Sequence, residues 1–166
     1  TLMRSSAASD VYKRQIYILS SREISDKIII NKQREASFLK AISIHPEPVM
    51  EILAGKKTKE YRSWTTHYRG PLLICSTAIK TPGCISGHAV CIVDLVDVEQ
   101  LGEGSYAWIF KNVRCIHPFS IKGQRRLYHV PDERIVEPMK GEFLVEDGEK
   151  VVTEEFWQKY YLALIS

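Results

Sequence analysis

The sequence predicts an α+β domain that is mainly β: a small β-barrel with a helix after its first strand and a second helix at the C-terminus. Three observations carry that reading. Short β-rich runs follow one another from residue 38 to residue 130, separated by Pro/Gly turn signals. A helical period interrupts them early, and a second amphipathic stretch, TEEFWQKYYLALI, comes last. The chain also has 166 residues of which 45% are hydrophobic, enough for one self-contained core. That apolar content excludes a disordered or fibrous chain. No stretch approaches the ~20 continuous apolar residues of a membrane span, so no membrane partner is expected.

The N-terminal stretch is set apart from this reading. DVYKRQ, at residues 10–15, reads as the in-frame translation of a sequencing-library adapter, so residues 1–15 are expected to be non-native. Residues 16–38 form an uncertain extension with two apolar runs, IYIL and III, and a polar stretch, NKQREAS. From residue 38 the elements follow in order. FLKAISI alternates as a strand, and HPEP breaks it, with Pro48 suited to a first helical turn. Val49, Ile52 and Leu53 recur at helical spacing, and Gly55 suits the C-terminal cap. Lys56 and Lys57 then lie where helix carbonyls end and cations are favoured. KEYRSW alternates as a second strand, YRGP turns, and LLICST is apolar enough to be a buried third. KTPGCIS is a loop, GHAVCIVDLVDVEQL a long fourth strand, GEGS a turn and YAWIFKNVRCI a fifth strand that HPF terminates. SIKGQRR is a basic loop and RLYHV a closing strand. A domain at residues 39–130 is thereby separated from a C-terminal extension at 131–166. That extension holds the loop PDERIVEP, a hairpin turning at Asp147-Gly148, and the last helix, started by Thr153.

Charge is unevenly spread. The chain carries a net +3, with +5 in residues 39–130, where all five histidines lie, and −5 in residues 131–166. A basic middle suits an anionic partner, and the acidic tail suits either a protein partner or a fold back over the basic surface. Cys75, Cys84, Cys91 and Cys115 form no CxxC pair and no secretory signal precedes them, so they read as reduced core thiols of a cytoplasmic protein. Cys84, His88 and Cys91 suggest a metal set. On a strand, however, His88 and Cys91 have opposite parity and face opposite sides, so neither a metal nor another cofactor is expected.

In KEYRSW, Glu60, Arg62 and Trp64 share one face, and Tyr61 and Ser63 the other. A carboxylate and a guanidinium two residues apart on one face can pair and hold each other in place. Lys57 and Arg62 are then candidates to meet phosphate or a base edge, with Glu60 orienting them or accepting from an exocyclic amine. The competing reading is a surface ion pair. Trp64, Tyr106 and Trp108 are candidates to stack on a base or to fill the core. Asn112 could read a base or cap a turn; Ser76 and Thr77 end the third strand with hydroxyls that could touch a ligand. Lys122, Arg125 and Arg126 make the densest basic loop, suited to phosphate. His45 ends the first strand beside the same face, and His67 sits in an exposed turn.

HPEPVMEILAGKKTKEYR resembles the ASCH domain family, a branch of the PUA-like barrels. The family's GxKxxExR motif is met by Gly55, Lys57, Glu60 and Arg62. YAWIFKNVRCIHPFSIKGQRRLYHV resembles its final strands, in which an aromatic-Trp pair, an Asn and a Pro-Phe recur. The resemblance spans about residues 39–130. It implies a small PUA-like barrel with an open cleft and association with nucleic acid, chiefly single-stranded or structured RNA. It adds Gly55, Lys57, Glu60 and Arg62 to the expected binding residues. Two functions compete under it: a non-catalytic RNA-binding module, and a small amidohydrolase acting on acetylated cytidine. The second would use Lys57 as its catalytic lysine, but the threonine expected three residues later is Glu60 here. A protein-interaction domain is the third reading, resting on the acidic tail.

Overall fold

The computed structural model describes residues 37–166, and the expectations for residues 1–36 lie outside the described residues. Six strands form one sheet in the order β2–β5–β4–β3–β1–β6. They are β1 (Phe38–Ile44), β2 (Lys59–Arg62), β3 (Gly70–Ser76), β4 (His88–Gly102), β5 (Ser105–Ser120) and β6 (Tyr128–Pro131). β1 and β3 run parallel, because α1 (Pro46–Leu53) and β2 carry the chain back between them; the other pairings are antiparallel.

The sheet corrects one expectation: it is not closed into a barrel. Closure needs a continuous stagger of hydrogen bonds around every strand. Here the edge strands β2 and β6 have four residues each, and neither pairs with the other, while β4 and β5 run on for 15 and 16. A second correction concerns β5, which continues through His117, Pro118 and Phe119 instead of ending there. Pro118 falls in the register shift between Ala89 and Cys91 of β4, where residues 116–118 have no paired partner, so its missing N–H breaks no ladder bond.

Both faces of the sheet are buried. Ile42, Ile44, Leu72, Ile74, Val93 and Leu95 pack on one side with Val49 and Ile52 of α1. Ala41, Leu73, Cys75, Ile92, Ile116 and Val130 pack on the other. Adjacent residues of β1 and β3 thus serve different cores, which is why LLICS is apolar without alternation. The C-terminal hairpin is β7 (Phe143–Glu146) paired with β8 (Glu149–Val152). Its turn residues Asp147 and Gly148 have φ of 50° and 83°, as a two-residue type I′ turn requires. The closing helix starts at Thr153, whose hydroxyl accepts from the Phe156 amide, but it is irregular. α2 (Glu154–Phe156) runs into a wide π-type stretch, Trp157–Tyr161, and a tight 3-10 turn, Leu162–Leu164. The wider turn brings Phe156 and Tyr161, five residues apart, towards one face, and both are buried in the α1-side core.

Candidate nucleic-acid interface

The site begins where α1 ends. Gly55 has φ +72°, its amide donates to the Ile52 carbonyl, and the Lys56 amide donates to that of Glu51. This is a Schellman cap, which calls for a left-handed residue at that point and favours glycine. The Lys57 amide also donates to Glu51, so the cap fixes where Lys57 leaves the helix. Two residues later β2 pairs with β5, placing Glu60 opposite Trp108 and Arg62 opposite Tyr106. The expected shared face is therefore real: Glu60 is 8% exposed and Arg62 half-buried, while Tyr61 points out.

Glu60 lies between two cations. Lys57 Nζ is 3.5 Å from Oε2, and Arg62 Nη2 is 3.6 Å from Oε1. Arg62 Nη2 also donates to the Ser43 carbonyl at 3.1 Å, near the end of β1 and beyond the stretch that β6 covers. At those ion-pair distances the carboxylate is held by charge more than by hydrogen bonds. Glu60 Oε2 and Arg62 Nε are buried without a hydrogen-bond partner, and so is Thr77 Oγ1. Thr77 is close by in the sheet, since its amide bonds the Ile44 carbonyl, one residue on from the carbonyl that Arg62 takes.

The basic loop between β5 and β6 folds back onto this place. The Arg126 guanidinium lies 5.4 Å from the centre of the Trp64 ring, a cation–π distance. Arg126 has φ +57°, a conformation that few non-glycine residues adopt. Gly123 passes so near β1 that a Cβ there would stand 2.7 Å from Ser43 Oγ, and that hydroxyl is bonded to the Tyr128 hydroxyl at 2.8 Å. A side chain at 123 would have to push the Ser43 hydroxyl away from Tyr128, which favours glycine there. Lys122 and Arg125 are exposed on the same loop.

Gly55, Lys57, Glu60, Arg62, Trp64 and Arg126 are accordingly brought together, with Lys122 and Arg125 on the adjoining loop. Three expected residues are placed elsewhere or otherwise engaged. Trp108 is 0% exposed; it packs edge-on against Trp64 at 4.7 Å and donates its indole N–H to the Trp64 carbonyl, so it supports Trp64 and offers no face to a base. Ser76 is also fully buried, its hydroxyl bridging the amide and carbonyl of His88. Asn112 is exposed on β5, has φ +55°, and donates to Asp94 at 2.8 Å, beside an Arg114–Asp94 pair at 3.0 Å. It occupies a β-bulge, where the strand register shifts between Ile92 and Asp94. Ser43, Gly123 and Tyr128 were not among the expected residues. No local pattern marks them, since what matters is their contact across the sheet and loop. Among the described residues no group of three or more His, Cys, Asp or Glu side chains is placed to hold a metal. Burial pushes the Cys75 thiol up to about 11, in keeping with a core thiol.

Among the described residues no helix is long and apolar enough to cross a membrane. No curated protein sequence matches the chain. Similar solved structures include ASCH from Zymomonas mobilis and a serine-to-alanine mutant of that protein. Each is 17% identical with a TM-score of 0.44 over 57% of this chain, covering 88% and 89% of theirs. Residues 42–130, more than half of the chain and the span that holds every residue of the site above, match the ASCH domain family, and the chain belongs to that family.

Proposed function

We propose that this protein is a non-catalytic RNA-binding module that holds a single-stranded or modified base at the Lys57–Glu60–Arg62 face. One observation carries the reading: a carboxylate and a guanidinium nitrogen are both buried beside each other with hydrogen-bonding capacity unused. Buried polar groups ordinarily find partners, and leaving one without costs about 1–3 kcal/mol. A ligand that supplies those bonds recovers that free energy on binding. The setting supports a nucleic acid. Cations on the 121–127 loop suit phosphate, and the half-buried Trp64 ring under Arg126 suits a base plane. The amidohydrolase alternative lacks its threonine, because position 60 carries the buried glutamate and Thr58 is exposed.

The test is fluorescence anisotropy of the full chain with short single-stranded and hairpin RNAs across a salt series. Binding should weaken with salt, each phosphate contact adding roughly 0.7–0.9 to the log–log slope. Lys57→Ala should weaken binding at every salt concentration. No binding at low salt removes the proposal, and release of acetate from acetylated cytidine by the same preparation would replace it with the hydrolase reading.

A further inference from the structure

We infer that the base this site takes is guanine, read through its Watson–Crick edge by Glu60; the inference rests on the RNA-binding reading above. The chemistry of the unpaired groups determines the choice: Glu60 Oε2 is buried without a hydrogen-bond partner, and a ligand reaches it as the Lys57 side chain 3.5 Å away gives way. Glu60 is 8% exposed, and neither of its oxygens is tightly held, with the cations at 3.5 Å and 3.6 Å. A carboxylate accepts and does not donate, and its two oxygens form a fork that suits two parallel N–H donors. Of the four ordinary RNA bases, guanine alone presents two adjacent N–H donors on one edge, N1–H and the N2 amine. Cytosine and adenine offer one amine beside an acceptor nitrogen, and uracil offers one imide N–H between two carbonyls. Either arrangement leaves a carboxylate oxygen facing an acceptor.

The flanking cations complete the match. Guanine O6 stands next to N1–H and is an acceptor, as a guanidinium or ammonium beside the carboxylate requires. Arg62 has a buried Nε without a hydrogen-bond partner, and its Nη2 is fixed by the Ser43 carbonyl, so its orientation is set before a ligand arrives. The plane of the base is provided for separately. Arg126 lies over Trp64 at 5.4 Å, too close for a base to enter between them, so a base that stacks on this ring displaces the Arg126 side chain, and a purine covers more of the indole than a pyrimidine.

The experiment keeps the protein unchanged and alters the ligand. Anisotropy is measured for the full chain with one RNA hairpin whose loop carries a single guanosine, against the same hairpin with inosine, adenosine, cytidine or uridine there. Inosine keeps O6 and N1–H and lacks only the N2 amine. The guanosine hairpin should bind about tenfold or more tighter than the inosine one, the scale of a lost bidentate partner. Glu60→Gln, which puts a donor where an acceptor stood, should remove that preference while the salt slope persists. Equal binding of all five hairpins with an intact salt slope overturns the guanine assignment and leaves the RNA-binding reading standing. Tighter binding of cytidine or adenosine overturns it as well, and no binding of any hairpin overturns both. Should Glu60→Gln fail to fold, the inosine comparison decides alone.

Discussion

Arg62 and Lys57 both face Glu60, yet they stand in different positions energetically. Lys57 makes one ion pair at 3.5 Å and lies 5.5 Å from the Tyr61 ring, so its removal leaves Glu60 with Arg62 still in place. Arg62 holds Glu60 and the Ser43 carbonyl together, so Arg62→Ala leaves two acceptors short of a donor. Lys57→Ala should therefore cost well under ~1 kcal/mol of stability, and Arg62→Ala about 1–3 kcal/mol. Urea unfolding of the two variants separates them; equal midpoints would show that Arg62 is not the anchor of β2 to β1. The thiols give a second expectation at this scale. Burial pushes the Cys75 thiol up to about 11 and raises those of Cys91 and Cys115 as well. A thiol that resists ionisation is a poor nucleophile, so the fully buried Cys75 and Cys91 should react with iodoacetamide only as fast as the chain opens. Prompt labelling of either of them in the native protein would contradict that.

Between β4 and β5, Asp94, Asn112 and Arg114 hold the bulge, and their effect is pH-dependent. The Asn112 amide, followed by the Arg114 guanidinium, holds the Asp94 carboxyl below its ordinary value of 3.8 against the opposing effect of burial. Its folded value is depressed, so it stabilises the fold above the unfolded value and the contribution is lost as pH falls through the folded one. Asp94→Asn should flatten the acid limb of a stability–pH curve below about pH 4, read as urea midpoints, and an unchanged limb would refute it. Nothing in the sequence foretold this bulge, although Asn112 gave a faint sign of it: asparagine inside an apolar strand is the non-glycine residue best able to take a left-handed conformation. Elements set by adjacent residues were legible. The Gly55 cap, the Glu60/Arg62 face and the Asp147-Gly148 turn all follow from local geometry. The return of the 121–127 loop to Trp64 was not, because the contact joins Arg126 to a residue far along the chain and is favoured by glycine at 123. Barrel closure is not legible for a related reason: strand count is local, whereas closure depends on the relative lengths of β2, β4, β5 and β6.

For the molecule as a whole, the family span and the folding unit have different limits. The ASCH match ends at residue 130, yet Phe156 and Tyr161 belong to the same core as Ile42, Val93 and Trp108. The Tyr161 hydroxyl accepts from the Ile116 amide at 3.1 Å and lies 2.7 Å and 2.9 Å from the Val90 and Ile116 carbonyls, so it serves backbone groups of both long strands. His117 is likewise held from beyond the span, by Glu142 at 2.7 Å and by the edges of Phe156 and Tyr160. Removing one large buried aromatic costs about 3–5 kcal/mol, and a domain of this size has only about 5–15 kcal/mol in total. A chain truncated after residue 130 is therefore expected not to fold cooperatively, and Tyr161→Phe, which removes only the hydroxyl, to lose about 1–3 kcal/mol. Circular dichroism with urea melts checks both, and a truncated chain with a native-like melt would show the tail to be dispensable. This bears on how the acidic segment is tested as a shield over the basic face. Deletion would confound unfolding with unmasking, so the charges are better removed in place. Changing Glu133, Glu137 and Glu146, all exposed, to glutamine leaves the core contacts intact. If the tail competes with RNA, affinity should rise by more at low salt than at high salt, because screening weakens the repulsion between tail and phosphate. A uniform change, or none, would mean that the negative charge of the tail serves something other than the RNA face.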